Sequence, residues 1–191
     1  YVVRQNSGGS AAQIARSIAS PINRPASGSV EFSLAYVGLS ERISGRTGFG
    51  VALLDSAGAI LAGASYDGNG SPVGHIRMYG SAGPDANQPG VFAQEKKWHQ
   101  IVMRGVWDAD GSADLFLYVD PDATTQIDDY GATIGVTMLN DIEQVQLRYG
   151  DFNTSGRSLL DEIELRVVPE PASAVLVVSG GLCMLRRRRH V

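Results

Sequence analysis

The stretch WHQIVMRGVWDADGSADLFLYV, residues 98–119, decides the fold of this chain. Apolar and polar residues alternate on both sides of a centre rich in aspartate and glycine, which predicts a strand over Trp98–Trp107 and a partner strand over Leu115–Val119. The linking residues 108–114 are of types that favour tight turns. The stretch therefore indicates an antiparallel hairpin with one buried face.

The same period of two recurs on either side of this hairpin, and no helical period is sustained between Gly28 and Val167. The further predicted strands are Val30–Tyr36, Phe49–Leu54, Ala59–Tyr66, His75–Tyr79, Val145–Tyr149 and Leu160–Val167. Many short strands separated by turn residues predict an all-β fold over residues 28–167, either an antiparallel β-sandwich or a jelly roll. Residues 1–27 are interpreted as an extended segment that can supply an edge strand.

Residues 168–191 form a tail of different composition. Its parts are the triplet Pro169-Glu170-Pro171, the uncharged run Ala172–Leu185, and the cluster Arg186, Arg187, Arg188 and Arg189. The prolines separate the tail from the preceding strand. As a helix the run of 14 residues would be roughly 21 Å long, against a bilayer core of about 30 Å, and the arginines would stay on the cytoplasmic side.

This order resembles the PEP-CTERM sorting tail of Gram-negative bacteria. The resemblance implies recognition and processing by an exosortase in the inner membrane, near Pro169–Pro171, and then release to the cell envelope, cell surface or extracellular matrix. An ordinary tail anchor is the alternative interpretation. Because an exported protein needs a signal peptide, we expect one to precede Tyr1.

Composition excludes several classes of function. The whole chain has a formal charge of −4, but without the four arginines and one glutamate of residues 169–191 the body carries −7, twelve basic residues against nineteen acidic. Such a body lacks the basic surface that nucleic acid binding needs. The only cysteine, Cys183, lies in the tail, so the body contains no disulfide.

A second resemblance rests on Trp98–Val102, on Leu115–Pro121, and on the closing string Leu160–Leu165, which reads LDEIEL. In this order and spacing they resemble the concanavalin A-like, LamG-type jelly roll. That family implies two packed antiparallel sheets and often carbohydrate or protein ligands, sometimes held through calcium. It does not imply a reaction.

A glucanase of the same fold would carry Glu-x-Asp-x-x-Glu on one strand, and the nearest string here is Asp161-Glu162-Ile163-Glu164. Strand alternation predicts that Glu162 and Glu164 share a face and that Asp161 points the other way, which is the wrong order. No Gly-x-Ser-x-Gly elbow accompanies His75 or His99, and His99 is expected to be structural. We therefore expect no catalytic residues, with a glycan-active enzyme as the alternative.

The aspartates of the hairpin centre, Asp108, Asp110 and Asp114, are candidate calcium ligands because Ca²⁺ prefers carboxylate oxygens. Gly111 does not occupy the position that an EF-type loop requires. The alternative is a tight turn in which the carboxylates accept backbone N–H groups.

Sugar binding needs an exposed aromatic ring beside polar groups. The candidate sets are Tyr66, Asp67 and Asn69, and Tyr149, Asp151 and Asn153. The alternative is that both tyrosines belong to the core, where Trp98 and Trp107 are also expected. The sequence thus predicts an exported domain that binds polysaccharide, with a purely structural surface protein as a further alternative.

Overall fold

A computed structural model describes residues 12–44, 48–67, 73–83, 90–94, 96–122, 131–149 and 155–168. The described residues form eleven strands: β1 (Ala12–Ile22), β2 (Ser29–Ser44), β3 (Gly48–Leu54), β4 (Ile60–Asp67), β5 (Val73–Tyr79), β6 (Gly90–Gln94), β7 (Trp98–Asp108), β8 (Ser112–Val119), β9 (Ala132–Thr137), β10 (Ile142–Tyr149) and β11 (Ser155–Val168). The described part of the chain contains no helix of the length and hydrophobicity needed to cross a membrane.

The strands form two antiparallel sheets. The six-stranded sheet has the order β1-β10-β3-β4-β5-β6, and the five-stranded sheet has the order β11-β2-β7-β8-β9. The chain moves from one sheet to the other after β1, β2, β6, β9 and β10. This crossing pattern confirms the predicted two-sheet antiparallel jelly-roll sandwich.

Alternation along β7 shows why the sequence folds this way. Burial alternates along the strand, so that Ile101, Met103 and Trp107 face the core while Gln100 and Arg104 face outward. The neighbouring strand follows the same rule: Phe32, Leu34 and Tyr36 of β2 are buried. Because successive side chains point to opposite faces, this pattern lets a sheet bury one face only.

The core between the sheets is held by aromatic side chains that reach across it. The Tyr36 hydroxyl on β2 donates a hydrogen bond to the Ala64 carbonyl on β4, 2.9 Å away in the other sheet. Phe49 lies between Tyr36, which it meets edge-on, and Tyr66, on which it stacks. Each such ring, fully buried, contributes about 1.5–3 kcal/mol.

Some strand boundaries differ from those expected. The strands β6 and β9 were not predicted, and β2 continues to Ser44 instead of ending at Tyr36. The strand β1 pairs with β10 and forms an edge of the six-stranded sheet. Val168, the first residue of the proposed tail, ends β11, and residues 169–191, over which the short helix was expected, lie outside the described residues.

Candidate binding face

A groove of about 460 Å³ runs over the outer face of the five-stranded sheet, along β2. Its floor and walls come from three adjacent strands, β11, β2 and β7. The residues that line it are Glu31, Ser33, Ala35, Gln100, Val102, Arg104, Glu164, Arg166, Val167 and Val168.

The groove exists because Ser33 and Ala35 on the central strand are smaller than the residues beside them on both neighbouring strands. The register places Ala35 between Glu164 and Val102, and Ser33 between Arg166 and Arg104. Neighbouring strands are about 4.8 Å apart, so the longer side chains stand as walls on either side of β2. Alternation places these side chains on the outer face, and the register between the strands then shapes an open channel parallel to β2.

An exposed indole extends this face at its far end. Trp98 begins β7, pairs with Leu39 of β2, and is 43% exposed. The expectation that Trp98 lies in the core is wrong, because its place in the β7 alternation is on the outward side with Gln100. From Glu31 to Leu39 the face extends roughly 26 Å along β2.

Charges of both signs line the groove. The Arg166 guanidinium forms an ion pair with the Glu164 carboxylate, and both side chains are exposed. The Arg104 guanidinium lies over the Tyr118 ring, 5.2 Å from its centroid. This cation–π contact orients Arg104 at the wall of the groove.

A bulge in β11 determines which carboxylates reach this face. The pairs Asp161 with Val37 and Glu164 with Ala35 leave one extra residue on β11, and Glu162 has a φ of 51°. Asp161 and Glu164 therefore share the outer face, and the expectation that Glu162 and Glu164 share a face is wrong. A bulge adds one residue and so reverses the alternation after it. The Asp161 carboxylate accepts the Glu162 N–H at 2.9 Å, which holds the pKa of Asp161 below its usual value.

Among the hairpin aspartates, the side chain of Asp110 holds the turn between β7 and β8. Asp110 accepts the hydroxyl and the N–H of Ser112, and these bonds hold the pKa of Asp110 below its usual value. Gly111 adopts a φ of 92° and donates its N–H to the Asp108 carbonyl. Asp108, Asp110 and Asp114 are not grouped as metal ligands, since no set of three or more acidic, histidine or cysteine side chains among the described residues could hold a metal ion.

Tyr66 and Tyr149 lie at one end of the six-stranded sheet, since Phe49 of β3 pairs with Tyr66 on one side and with Tyr149 on the other. Tyr66 does not offer an exposed platform, because it is buried and stacks on Phe49 at 5.3 Å. Asp67 ends β4. Asn69, Asp151 and Asn153 lie outside the described residues, as do Pro169, Glu170, Pro171 and Arg186–Arg189.

His99 has the structural role that was expected. It is buried, and its Nδ1 lies 2.8 Å from Oδ2 of Asp120. Asp120 also accepts the Gln100 N–H and donates its own N–H to the Gln100 carbonyl. Through these contacts with His99 and Gln100, Asp120 holds the residue after β8 against the start of β7.

No protein-family model matches the sequence, and comparison with curated proteins finds no match. Among solved structures, the T. cruzi calreticulin globular domain is similar with a TM-score of 0.55 at 14% identity, covering 95% of this chain and 79% of that one. A native heptameric SAP-like pentraxin from Limulus polyphemus is similar with a TM-score of 0.52 at 11% identity, covering 86% and 74%. The fold is a jelly-roll sandwich. These neighbours are consistent with the concanavalin A-like resemblance, and at such identities they bear on the fold alone.

An alginate lyase from Corynebacterium sp. is also similar, with a TM-score of 0.47 at 11% identity, covering 75% of this chain. This chain spans 60% of the length of that lyase.

The groove was missed by sequence reasoning, although part of its signal was present. Ser33 and Ala35 stand on the outward positions of a strand whose inward positions are large and apolar. What the sequence does not contain is the register that sets Arg104 and Arg166 on either side of Ser33.

Proposed function

We propose that this protein is an exported bacterial protein that binds polysaccharide in the groove over β2 and performs no reaction on it. The observation that carries the proposal is the open groove along β2, together with exposed Trp98, which lies two residues beyond Gln100 on the same outward side of β7. An extended channel of this kind fits a chain-like ligand better than a compact small molecule, which favours an enclosed pocket.

The chemistry of the walls also supports a glycan. Sugar hydroxyls need both donors and acceptors, and Gln100, Ser33 and Glu31 supply amide, hydroxyl and carboxylate groups. The C–H faces of a sugar ring pack on an aromatic plane, for which Trp98 presents a partly exposed indole.

Export is the part of the proposal that rests on the tail. Exosortase would process the tail near Pro169–Pro171 after transient retention in the inner membrane, leaving the sandwich in the envelope, at the cell surface or in the matrix. Val168 ends β11 opposite Glu31, whereas Trp98 lies opposite Leu39. A tail that continues from Val168 would therefore leave the sandwich at the end away from Trp98, which would point the indole away from the membrane.

The test is binding of the 191-residue chain, in mild detergent, to a panel of neutral and acidic polysaccharides with and without calcium. Trp98→Ala should weaken binding at least about fivefold, since an aromatic contact contributes about 1 kcal/mol beyond its buried area. Leu139→Ala is the matched control, because Leu139 is an exposed apolar side chain away from the groove. The proposal is rejected if no polysaccharide binds, which would favour a structural surface protein, or if Trp98→Ala binds as tightly as the wild type.

A further inference from the structure

The guanidinium groups in the walls identify a class of glycan. Building on the polysaccharide binding proposed above, we propose that the groove selects acidic glycans and that Arg104 and Arg166 bind a sugar carboxylate above Ser33.

The two arginines occupy one row across the sheet. Arg166 of β11 pairs with Ser33 of β2, and Ser33 pairs with Arg104 of β7. At about 4.8 Å per strand, the two arginine Cα atoms are about 10 Å apart, with a small side chain between them. Two guanidiniums can therefore approach one anionic group from opposite sides, with the Ser33 hydroxyl on the floor.

Both arginines retain donors for such a group. A guanidinium has five N–H donors in a planar fork, which matches the two oxygens of a carboxylate. The Arg166–Glu164 pair is exposed on both sides, and an exposed pair contributes little, so a ligand carboxylate can share or replace Glu164. The cation–π contact with Tyr118 is not a hydrogen bond, so it does not occupy the N–H donors of Arg104.

Because the body of the chain is acidic overall, only a particular site on it can favour acidic glycans. Without residues 169–191 the chain carries a formal charge of −7, so it repels polyanions at long range. An acidic glycan that binds this body must do so through a particular cationic site. The row of Arg166, Ser33 and Arg104 is such a site.

The experiment compares hexagalacturonate with the same oligosaccharide after chemical reduction of its carboxyl groups, by calorimetric titration of the 191-residue chain in mild detergent. We expect the acidic oligosaccharide to bind at least tenfold more tightly. Arg104→Gln and Arg166→Gln should each weaken its binding about tenfold or more, because a hydrogen bond to a charged group contributes about 1.5–3 kcal/mol. Arg104→Lys keeps the charge but loses the planar fork of N–H donors. Its affinity for the acidic oligosaccharide should lie between those of the wild type and of Arg104→Gln.

Arg148→Gln is the matched control. Arg148 also lies over a tyrosine ring, 5.9 Å from the centroid of Tyr79, but on the six-stranded sheet. The Arg148→Gln variant should bind the acidic oligosaccharide as tightly as the wild type does. Arg166 is exposed, so its replacement leaves the fold intact, and a thermal melt of each variant verifies this.

The outcomes separate the two proposals. If the reduced oligosaccharide binds as tightly as the acidic one, selection of acidic glycans is wrong while polysaccharide binding stands. If Arg148→Gln weakens binding as much as Arg104→Gln and Arg166→Gln do, the row over Ser33 is not the site. If neither this pair nor any member of the polysaccharide panel binds, both proposals are wrong.

Discussion

Oδ2 of Asp55 accepts a hydrogen bond from Nδ2 of Asn140 at 2.7 Å, although 85 residues separate them in sequence. Oδ1 of Asp55 accepts the Ala59 N–H at 2.8 Å, and the carboxylate is buried. One side chain thus closes the turn between β3 and β4 and ties it to the connection between β9 and β10. The hydrogen bonds from Ala59 and Asn140 hold the pKa of Asp55 below its usual value.

Removal of this carboxylate should destabilise the sandwich. We expect Asp55→Ala to lower the free energy of unfolding at pH 7 by about 2 kcal/mol, since charge-assisted hydrogen bonds are lost and the Asn140 amide loses its acceptor. Urea unfolding measures the change. Asp114→Ala, at an exposed aspartate of β8, should change the free energy of unfolding by less than about 0.5 kcal/mol. Equal effects of the two substitutions would contradict the role of Asp55.

The same carboxylate should make stability depend on pH in a defined direction. Because the folded-state pKa is lowered, the stabilisation is complete above the unfolded-state pKa of about 3.9 and is lost as the pH falls through the folded-state value. The difference in unfolding free energy between the wild type and Asp55→Ala should therefore shrink between about pH 5 and pH 2. A difference that stays constant over this range would show that Asp55 does not act through its charge.

The buried indole anchors one end of the core. Trp107 is fully buried, and its Nε1–H donates to the Met138 carbonyl at 2.9 Å. Trp107→Phe should lower the free energy of unfolding by about 1–3 kcal/mol, because a buried carbonyl loses its partner. Trp98→Phe, the control at an exposed indole, should leave it nearly unchanged. Chemical unfolding compares the two variants. A larger loss of unfolding free energy in Trp98→Phe than in Trp107→Phe would contradict the role of Trp107 as the anchor.

A close contact between strands explains one of the glycines. A Cβ placed on Gly105 of β7 would lie 2.2 Å from the ring of Phe32, which pairs with it on β2. Gly105→Ala should therefore destabilise the fold by about 1–3 kcal/mol through overpacking. At Gly135 the same methyl group would meet only Oδ1 of Asp114 at 3.7 Å, so Gly135→Ala is the control with a small effect. Thermal melts measure the stability of both variants, and similar melting temperatures would contradict the overpacking argument.

The sorting proposal has its own test. Replacement of Arg186–Arg189 by serine should disturb membrane retention and processing, because the arginines are expected to hold the end of the tail on the cytoplasmic side. Cell fractionation and the mass of the mature protein measure this in the native host. Arg16→Ser, in the exposed edge strand β1, serves as the control. Unchanged fractionation and an unchanged mass in the serine variant would reject the proposal.

Sequence reasoning succeeded where alternation is strong. The hairpin of β7 and β8 was predicted because its apolar residues repeat with a period of two on both sides of the turn. The strand β9 carries the same signal, since Ile134 and Val136 alternate with Thr133, Gly135 and Thr137, but the run is short and contains a glycine. A short strand at the margin of a sheet has little burial to mark it.

The errors come from features that local sequence does not determine. Alternation across Asp161–Glu164 was extended through a bulge, which reversed the faces of the carboxylates. Tyr66 was a candidate platform with a core position as the alternative, and the alternative holds for it, because it is buried and stacks on Phe49. Trp98 was expected in the core, although it lies on the outward side in the alternation of β7.

By itself the sequence determined that this chain forms an antiparallel sandwich, because the period of two specifies which side chains must leave water, whatever the partner strands are. Tertiary structure alone decided that Ser33 lies between Arg166 and Arg104, because register and strand order depend on contacts between residues far apart in the chain. The groove over β2, which both binding proposals need, follows from that register.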